Sequence, residues 1–244
     1  MSVPDLDAAR LFYEGLFGWG MQGGSPEYGG YLNATKNGRL AAGISPKMAP
    51  EAPTAWLIHF ATSDVDASAE RVGSNGGQVL LAPMDVMELG RMAICADPSG
   101  ARFGLWKAGS HTGSGVVNEP GAVIWTEQLS QTLEPNLAFY RAVFDWEFHD
   151  MSSGGFRYAC FVSEGRDIGG VGEYPAGDLE LAPQWWLYLA VDDTDAAVDQ
   201  VIRLGGSVIR PPADSSYGRV ATVADNQGAS FMLMAAPPEG YGGE

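Results

Sequence analysis

Apolar residues along this chain fall into two rhythms, and the rhythms take turns. Over residues 122–129 apolar and polar positions alternate, the signature of a strand, while over 134–144 Leu137, Phe139-Tyr140 and Phe144 return at helical spacing. Phe148, residues 157–162 and residues 168–171 then read as three short strands, parted by Ser152-Ser153-Gly154-Gly155 and by Glu164-Gly165. The order is β-α-β-β-β. It begins again at once: 185–191 is a strand, and Asp193-Thr194 cap a helix through Leu204. Gly205-Gly206 stops that helix, because glycine accepts the left-handed conformation a C-terminal cap requires. Val208-Ile209, residues 219–223 and residues 230–234 supply three more strands, the last two joined by the turn Asp225-Asn226-Gln227-Gly228.

The first half of the chain follows the same order. Residues 5–17 form a helix, 28–35 and 39–44 strands, 56–61 the strand that opens a second unit, and 65–73 its helix. Residues 78–81, 91–95 and 102–106 close that unit, with Asp97-Pro98-Ser99-Gly100 as the final turn. Phe12-Tyr13 and Phe17-Gly18-Trp19 return as Phe139-Tyr140 and Phe144-Asp145-Trp146, 127 residues on (139 − 12). Trp56, Gly76-Gly77 and Pro83 return as Trp185, Gly205-Gly206 and Pro212, 129 residues on (185 − 56). The chain is therefore a duplication, with two β-α-β-β-β units in each copy. The predicted domains are 1–107 and 122–244, joined by a Gly- and Ser-rich linker over 108–121. Counting back from Phe12 by the 14 residues between Trp125 and Phe139 (139 − 125) runs past Met1, so the opening strand of the first copy is expected to be missing, either because the start is trimmed or because that copy has an open edge.

Composition narrows the field. Hydrophobic residues make up 45% and charged residues 18% of the 244, enough apolar material for two cores. The formal net charge of −16 argues against nucleic acid or an anionic membrane as partner, since both would repel the chain. A neutral or cationic small molecule is the expected partner, and the protein itself is expected to be a monomer or homodimer. No stretch approaches the roughly 20 apolar residues of a membrane span, and the N-terminal residues lack the regions of a signal peptide, so the expected location is cytoplasmic. Cys95 and Cys160 do not occupy matching positions and read as buried free thiols.

With these elements in place, the chain resembles the vicinal oxygen chelate superfamily, also called the glyoxalase, bleomycin-resistance and dioxygenase superfamily. The resemblance rests on Asp5-Leu6 before Ala9-Arg10-Leu11-Phe12-Tyr13 and on Thr132-Leu133 before Leu137-Ala138-Phe139-Tyr140. Val191-Asp192-Asp193 with Gly205-Gly206 and the Asp97-Pro98-Ser99-Gly100 turn complete it. Leu16-Phe17-Gly18-Trp19 is closest to tandem-domain actinobacterial proteins described as hydroxylases or glyoxalase-like proteins. The family opens the first helix with an aspartate, as at Asp5, and Thr132 is expected to cap the helix of the second copy in its place. The resemblance implies an α+β fold of tandem glyoxalase-like domains. In each, two βαβββ units form a curved, cup-shaped mixed sheet with helices outside and a ligand inside.

It also implies a divalent metal held by three or four His or carboxylate ligands. Carried onto this chain, the ligand positions fall on Trp125, in Ala42-Gly43 and Gly169-Gly170, near Leu57, on Trp186, and on Gly104 and Met232. None of these holds a hard metal ion, so no metal and no other cofactor is expected. Strand alternation sets Trp125 with Glu127, Trp186 with Tyr188, Leu57 with His59, Arg102 with Gly104 and Trp106, and Met232 with Met234 on the ligand side. Such a wall suits a flat, largely apolar molecule, aromatic or polyketide-like. Glu127, between Trp125 and Leu129, is the expected catalytic carboxylate, with His59 as a second proton-transfer group. The competing reading pairs Glu127 internally with Arg157 or Arg166.

Three functions follow. The first is metal-free binding of such a molecule, by sequestration as in bleomycin resistance or as an accessory to secondary metabolism. The second is a lyase, isomerase or oxygenase-like enzyme using Glu127 or His59, or a metal-dependent dioxygenase or glyoxalase with non-standard ligands. The third is a protein that acts through its acidic surface alone.

Overall fold

In the computed structural model, which describes all residues except Pro26, Tyr28, Glu164, Leu179 and 237–244, the chain forms four βαβββ modules in tandem. Module one is β1 (Ser2–Val3), α1 (Leu6–Phe17), β2 (Gly20–Gly23), β3 (Leu32–Lys36) and β4 (Arg39–Pro46). Module two is β5 (His59–Ala61), α2 (Val65–Ser74), β6 (Gln78–Val86), β7 (Gly90–Ala96) and β8 (Arg102–Ala108). Module three is β9 (Val123–Ser130), α3 (Glu134–Phe144), β10 (Glu147–Asp150), β11 (Tyr158–Ser163) and β12 (Arg166–Glu173). Module four is β13 (Gln184–Ala190), α4 (Thr194–Arg203), β14 (Ser207–Ser215), β15 (Gly218–Ala224) and β16 (Ser230–Ala235). The class is α+β with open, curved mixed sheets.

Three expectations change. Module one has an opening strand after all, the two residues of β1, set parallel to β4 with Ser2 opposite Ser45 and Val3 opposite Pro46. Two residues are too few for alternation to register in a sequence. Thr132 does not cap α3; Leu133 holds the N-cap position without a side-chain cap. The exposed amides are met instead from elsewhere, Thr132 N–H donating to Ser130 Oγ and Leu133 N–H to Glu173 Oε1. The other three helices start as expected, with Asp5, Asp64 and Asp193 each accepting from the amide three residues on. β5 is also shorter than the predicted strand, starting at His59.

Packing divides the chain into two units. Unit 1 gathers Met1–Trp56, Gly113–Ile124 and the residues from Leu187 onward; unit 2 gathers Leu57–Thr112 and Trp125–Trp186. Modules one and four thus share unit 1, and modules two and three share unit 2. In unit 1 the strands run β1-β4-β3-β2 and β13-β16-β15-β14, and in unit 2 β5-β8-β7-β6 and β10-β11-β12-β9. Each first strand pairs in parallel with its module's last, and the other neighbours are antiparallel. The segment expected to link two halves is tied down: His111 N–H donates to Leu89 O in unit 2, and Gly115 N–H to Leu40 O in unit 1.

Each unit closes around the same device. On α1 the positions i, i+3, i+4 and i+8 are Ala9, Phe12, Tyr13 and Phe17, all buried. Tyr13 Oη–H donates to Asp225 Oδ2 at 2.9 Å, and Asp225 Oδ1 accepts from the amides of Gln227 and Ala229. In unit 2 Tyr140 Oη–H donates to Asp97 Oδ2 at 2.8 Å, while Asp97 Oδ1 accepts from Ser99 and Ala101. The turn aspartates of modules two and four therefore knit their β-hairpins to the helix of the other module in the unit. Burial holds the Tyr140 phenol well above its ordinary pKa and also raises that of Asp97. The paired glycines have a packing reason as well. Gly205 takes φ +84°, and a Cβ on Gly206 would meet Ala224 O at 2.5 Å and the Phe12 ring at 3.0 Å. Gly76 and Gly77 do the same against Ala96 and Phe139. Among the described residues no helix is long and apolar enough to cross a membrane.

Candidate functional site

The strand face of module three in unit 2 gathers the densest set of polar and aromatic groups. Alternation on β9 turns Trp125 and Glu127 to one side. The registered neighbours continue that row: Glu127 stands opposite Gly170 on β12, Gly170 opposite Cys160 on β11, and Cys160 opposite His149 on β10. Tyr158, two residues before Cys160, shares the face and leans across β12. Its hydroxyl lies 1.8 Å from where a Cβ of residue 170 would be, so only glycine admits it. Gly169 serves the opposite face in the same way, with the Phe161 ring 2.1 Å from its would-be Cβ. The adjacent glycines thus let one aromatic ring lie on each side of β12.

Tyr158 joins the two expected residues into a chain. Trp125 Nε1–H donates to Tyr158 Oη at 2.9 Å, and Tyr158 Oη–H donates to Glu127 Oε2 at 2.9 Å. Indole nitrogen can only donate, so the direction of the chain is fixed from its first member. Desolvation, then the Glu127 charge, raises the Tyr158 pKa well above the phenolic value, so it holds its proton at neutral pH. Nearby, Trp186 Nε1–H donates to Tyr174 Oη at 3.3 Å, and Tyr174 Oη–H donates to Ala182 O at 3.0 Å. Desolvation and, among lesser causes, the Glu127 charge raise the Tyr174 phenol too. The Cys160 thiol is pushed up to about 12 by desolvation and by Asp167 and Glu127, which makes it an inert member of the wall. Arg157 pairs with Glu134 and Glu173.

The remaining expected residues stand elsewhere. In module two, His59 is registered opposite Gly104, and its ring atoms lie 2.2–2.6 Å from the would-be Cβ of that glycine. Desolvation lowers its pKa to about 4, although the residue stays exposed to solvent. Trp106 Nε1–H donates to His111 O at 3.0 Å, and the His111 ring stands edge-on to it at 5.8 Å. Arg102 is exposed at the first residue of β8, and Leu57 is half-buried just before β5. In unit 1, Tyr188 is opposite Met232, and Thr222 Oγ1–H donates to Met232 Sδ at 3.0 Å, with Met234 one step further along β16. Of the expected residues, the structure brings Trp125 and Glu127 together through Tyr158, sets Trp186 against Tyr174, and leaves His59, Arg102 and Trp106 on a separate sheet of unit 2. Open clefts of about 580 Å³ and 420 Å³ lie beside the first turns of α1 and α3 and include none of the expected site residues.

Sequence reasoning missed Tyr158. The signal was present, since Tyr31 and Tyr158 are separated by the same 127 residues as Gly43 and Gly170 (158 − 31, 170 − 43). In unit 1 the Tyr31 hydroxyl likewise lies 1.7 Å from a would-be Cβ on Gly43.

The metal ligand positions of the resemblance can now be tested. Gly43, Gly170 and Gly104 are covered by Tyr31, Tyr158 and His59, and among the described residues no three His, Cys, Asp or Glu side chains gather as a metal site would need. The donor set of a hard divalent ion is not assembled there.

Comparison with known proteins agrees with the architecture. The family model of the Glyoxalase/Bleomycin resistance protein/Dioxygenase superfamily matches residues 1–105 and 123–233, so this chain belongs to that superfamily, with two glyoxalase domains in tandem. More particularly, it is 39% identical over 246 residues to "Putative glyoxylase CFP32" of Mycobacterium tuberculosis, covering 98% of this chain and 94% of that protein. It is 36% identical over 263 residues to the anthracycline biosynthesis protein DnrV of Streptomyces peucetius, covering 99% and 92%. Among solved structures, the Mn(II)-bound glyoxalase of Novosphingobium aromaticivorans shares the fold at a TM-score of 0.64 and 15% identity, over 96% of this chain and 79% of that one.

Proposed function

We propose that the protein binds a small, flat, largely apolar molecule, aromatic or polyketide-like, against the strand face formed by Trp125, Glu127, Tyr158 and Trp186. It does so without a metal, as an accessory to secondary metabolism. The observation that carries this reading is the hydrogen-bond chain from Trp125 through Tyr158 to Glu127, set between aromatic side chains on strands rather than loops. Indole and phenol rings offer broad apolar contact, and one carboxylate beside them fixes orientation. The full-length similarity to proteins named for anthracycline biosynthesis supports a polycyclic aromatic ligand. The acidic balance of the chain favours a neutral or cationic one.

A second reading, an enzyme that moves a proton on its ligand, is favoured by the same chain of donors. Glu127 suits it better than His59, which stands on another sheet. A thermal-shift screen of polycyclic aromatic compounds against the purified chain tests the binding reading. The expected hits raise the melting temperature of the wild type and lose most of that shift in Glu127→Gln and Trp125→Ala. Hits that stabilise all three proteins equally would place the ligand elsewhere.

A further inference from the structure

The geometry points to Tyr158 as the electrophile of a metal-independent enolisation, with Glu127 as the base that its departure activates. This rests on the binding reading above and deepens it. One position to which the resemblance would assign a metal ligand, Gly170, is instead covered by the Tyr158 hydroxyl. The replacement is chemically complete only if that hydroxyl can be offered to a ligand, and the hydrogen-bond chain supplies the means.

In the ligand-free protein the single proton of Tyr158 is spent on Glu127, and one lone pair of its oxygen is occupied by the Trp125 N–H. A ketone brought against this face competes for that proton. When Tyr158 turns its O–H to the ketone oxygen, the Trp125 N–H still holds the phenol oxygen and polarises it, which makes the O–H a better donor. Glu127 meanwhile loses a hydrogen bond that had stabilised its charged form, so its carboxylate becomes more basic. The substrate thereby switches on the base that attacks it.

The carbonyl oxygen and the α-hydrogen of a ketone are close neighbours, as the Tyr158 hydroxyl and Glu127 Oε2 are at 2.9 Å, so one ligand can address both. The step balances without a further reactant. The α C–H bond breaks, its proton passes to Glu127, its electron pair becomes the C=C bond of the enolate, and the carbonyl π pair moves to the oxygen held by Tyr158. Return of a proton from Glu127 to carbon completes an exchange or, at a different carbon, an isomerisation. The substrate class is an aromatic ketone with an acidic α-hydrogen, because the Trp125 indole is bonded directly to the dyad. Tyr158 is suited to the role because burial keeps it protonated, and the inert Cys160 beside it offers no competing nucleophile.

The test uses 2-tetralone, a bicyclic aromatic ketone, with the full chain in D₂O. Binding is read by quenching of tryptophan fluorescence and exchange of the α-hydrogens by proton NMR. The wild type is expected to bind and to exchange above buffer. Tyr158→Phe is expected to bind within about threefold of wild type but to exchange about 10²-fold more slowly, the usual loss when one oxyanion donor is removed. Glu127→Gln is expected to fall to the buffer rate. Trp125→Phe, which loses only the group that positions Tyr158, is expected to slow exchange by less than Tyr158→Phe and to shift its pH profile. Circular dichroism establishes that each variant is folded. Wild-type exchange retained in Tyr158→Phe, or binding by wild type with no exchange, overturns this inference and leaves the binding reading standing. No binding of 2-tetralone or of any hit from the screen overturns both.

Discussion

Units 1 and 2 are built on one plan and differ where a ligand would be held. Each closes a buried tyrosine on a turn aspartate, Tyr13 on Asp225 and Tyr140 on Asp97, and each lays a second tyrosine over a strand glycine, Tyr31 over Gly43 and Tyr158 over Gly170. In unit 2 the strand registered beside that glycine sets a carboxylate at the hydroxyl, Glu127 opposite Gly170. In unit 1 the corresponding strand registers Ser2 with Ser45 and Val3 with Pro46, and the Met1 amine donates to Gly43 O at 2.7 Å. The comparison teaches that the tyrosine over glycine is part of the common scaffold. The proposed site adds Glu127 to that scaffold.

The largest expected effect strikes the scaffold. Tyr140→Phe leaves a buried Asp97 oxygen unmet and strands the Trp185 indole N–H, which donates to Tyr140 Oη at 2.9 Å. Tyr13→Phe removes the bond to Asp225 and only a weaker contact with Trp56 Nε1, which makes no well-formed hydrogen bond. Urea denaturation should show a loss of about 2–4 kcal/mol for Tyr140→Phe and about 1–3 kcal/mol for Tyr13→Phe. Equal losses would mean that the two closures are the same after all.

Next in size is a pair of glycine substitutions that separates scaffold from site. Gly170→Ala drives a methyl into the Tyr158 hydroxyl and should cost about 1–3 kcal/mol, with loss of ligand binding as the ring swings off Glu127. Gly43→Ala meets Tyr31 in the same way and should cost a similar amount while ligand binding is retained. Loss of binding in both would move the site off unit 2.

The smallest effect lies on the surface that the units share in design. Arg91 bonds Asp66 and Asp85, and Arg219 bonds Asp195 and Asp214, holding Asp66 and Asp195 below the ordinary carboxylate pKa. A carboxyl whose folded pKa is depressed adds stability above its unfolded value, near pH 4, and that stability is lost as pH falls through the folded value. The urea midpoint of wild type should therefore exceed that of an Arg91→Gln, Arg219→Gln double variant slightly at pH 6, and the gap should close below about pH 4. These pairs are exposed, so the gap is small throughout. A gap independent of pH would remove the ion pairs from the account.

Much of this was legible in the sequence because repeats advertise scaffold. Alternation and helical spacing located all four helices, and the offsets of 127 and 129 residues located the modules and the Gly-Gly helix stops. What stayed hidden depends on contacts remote in sequence. Asp97 and Asp225 read as turn residues, and nothing local says that each accepts from a tyrosine 43 or 212 residues away. Alternation sets Trp125 and Glu127 on one strand face, since such side chains need no partner to be placed, and the resemblance says which face is the ligand side. Tyr158 was missed because its role comes from lying across a neighbouring strand, which only the register of β11 on β12 and the bare backbone of Gly170 make visible. The packing units were equally out of reach, for the sequence orders the modules one to four while contacts gather one with four and two with three.

In the proposed site Tyr158 and Glu127 hold a ligand beside Gly170 without a metal. The most direct measurement is the affinity of one hit from the aromatic screen for protein dialysed against EDTA, before and after adding Mn(II), Ni(II) or Zn(II). The account predicts the same dissociation constant in every case and weaker binding in Glu127→Gln. Binding that appears only when a metal is added, and that survives Glu127→Gln, would contradict it.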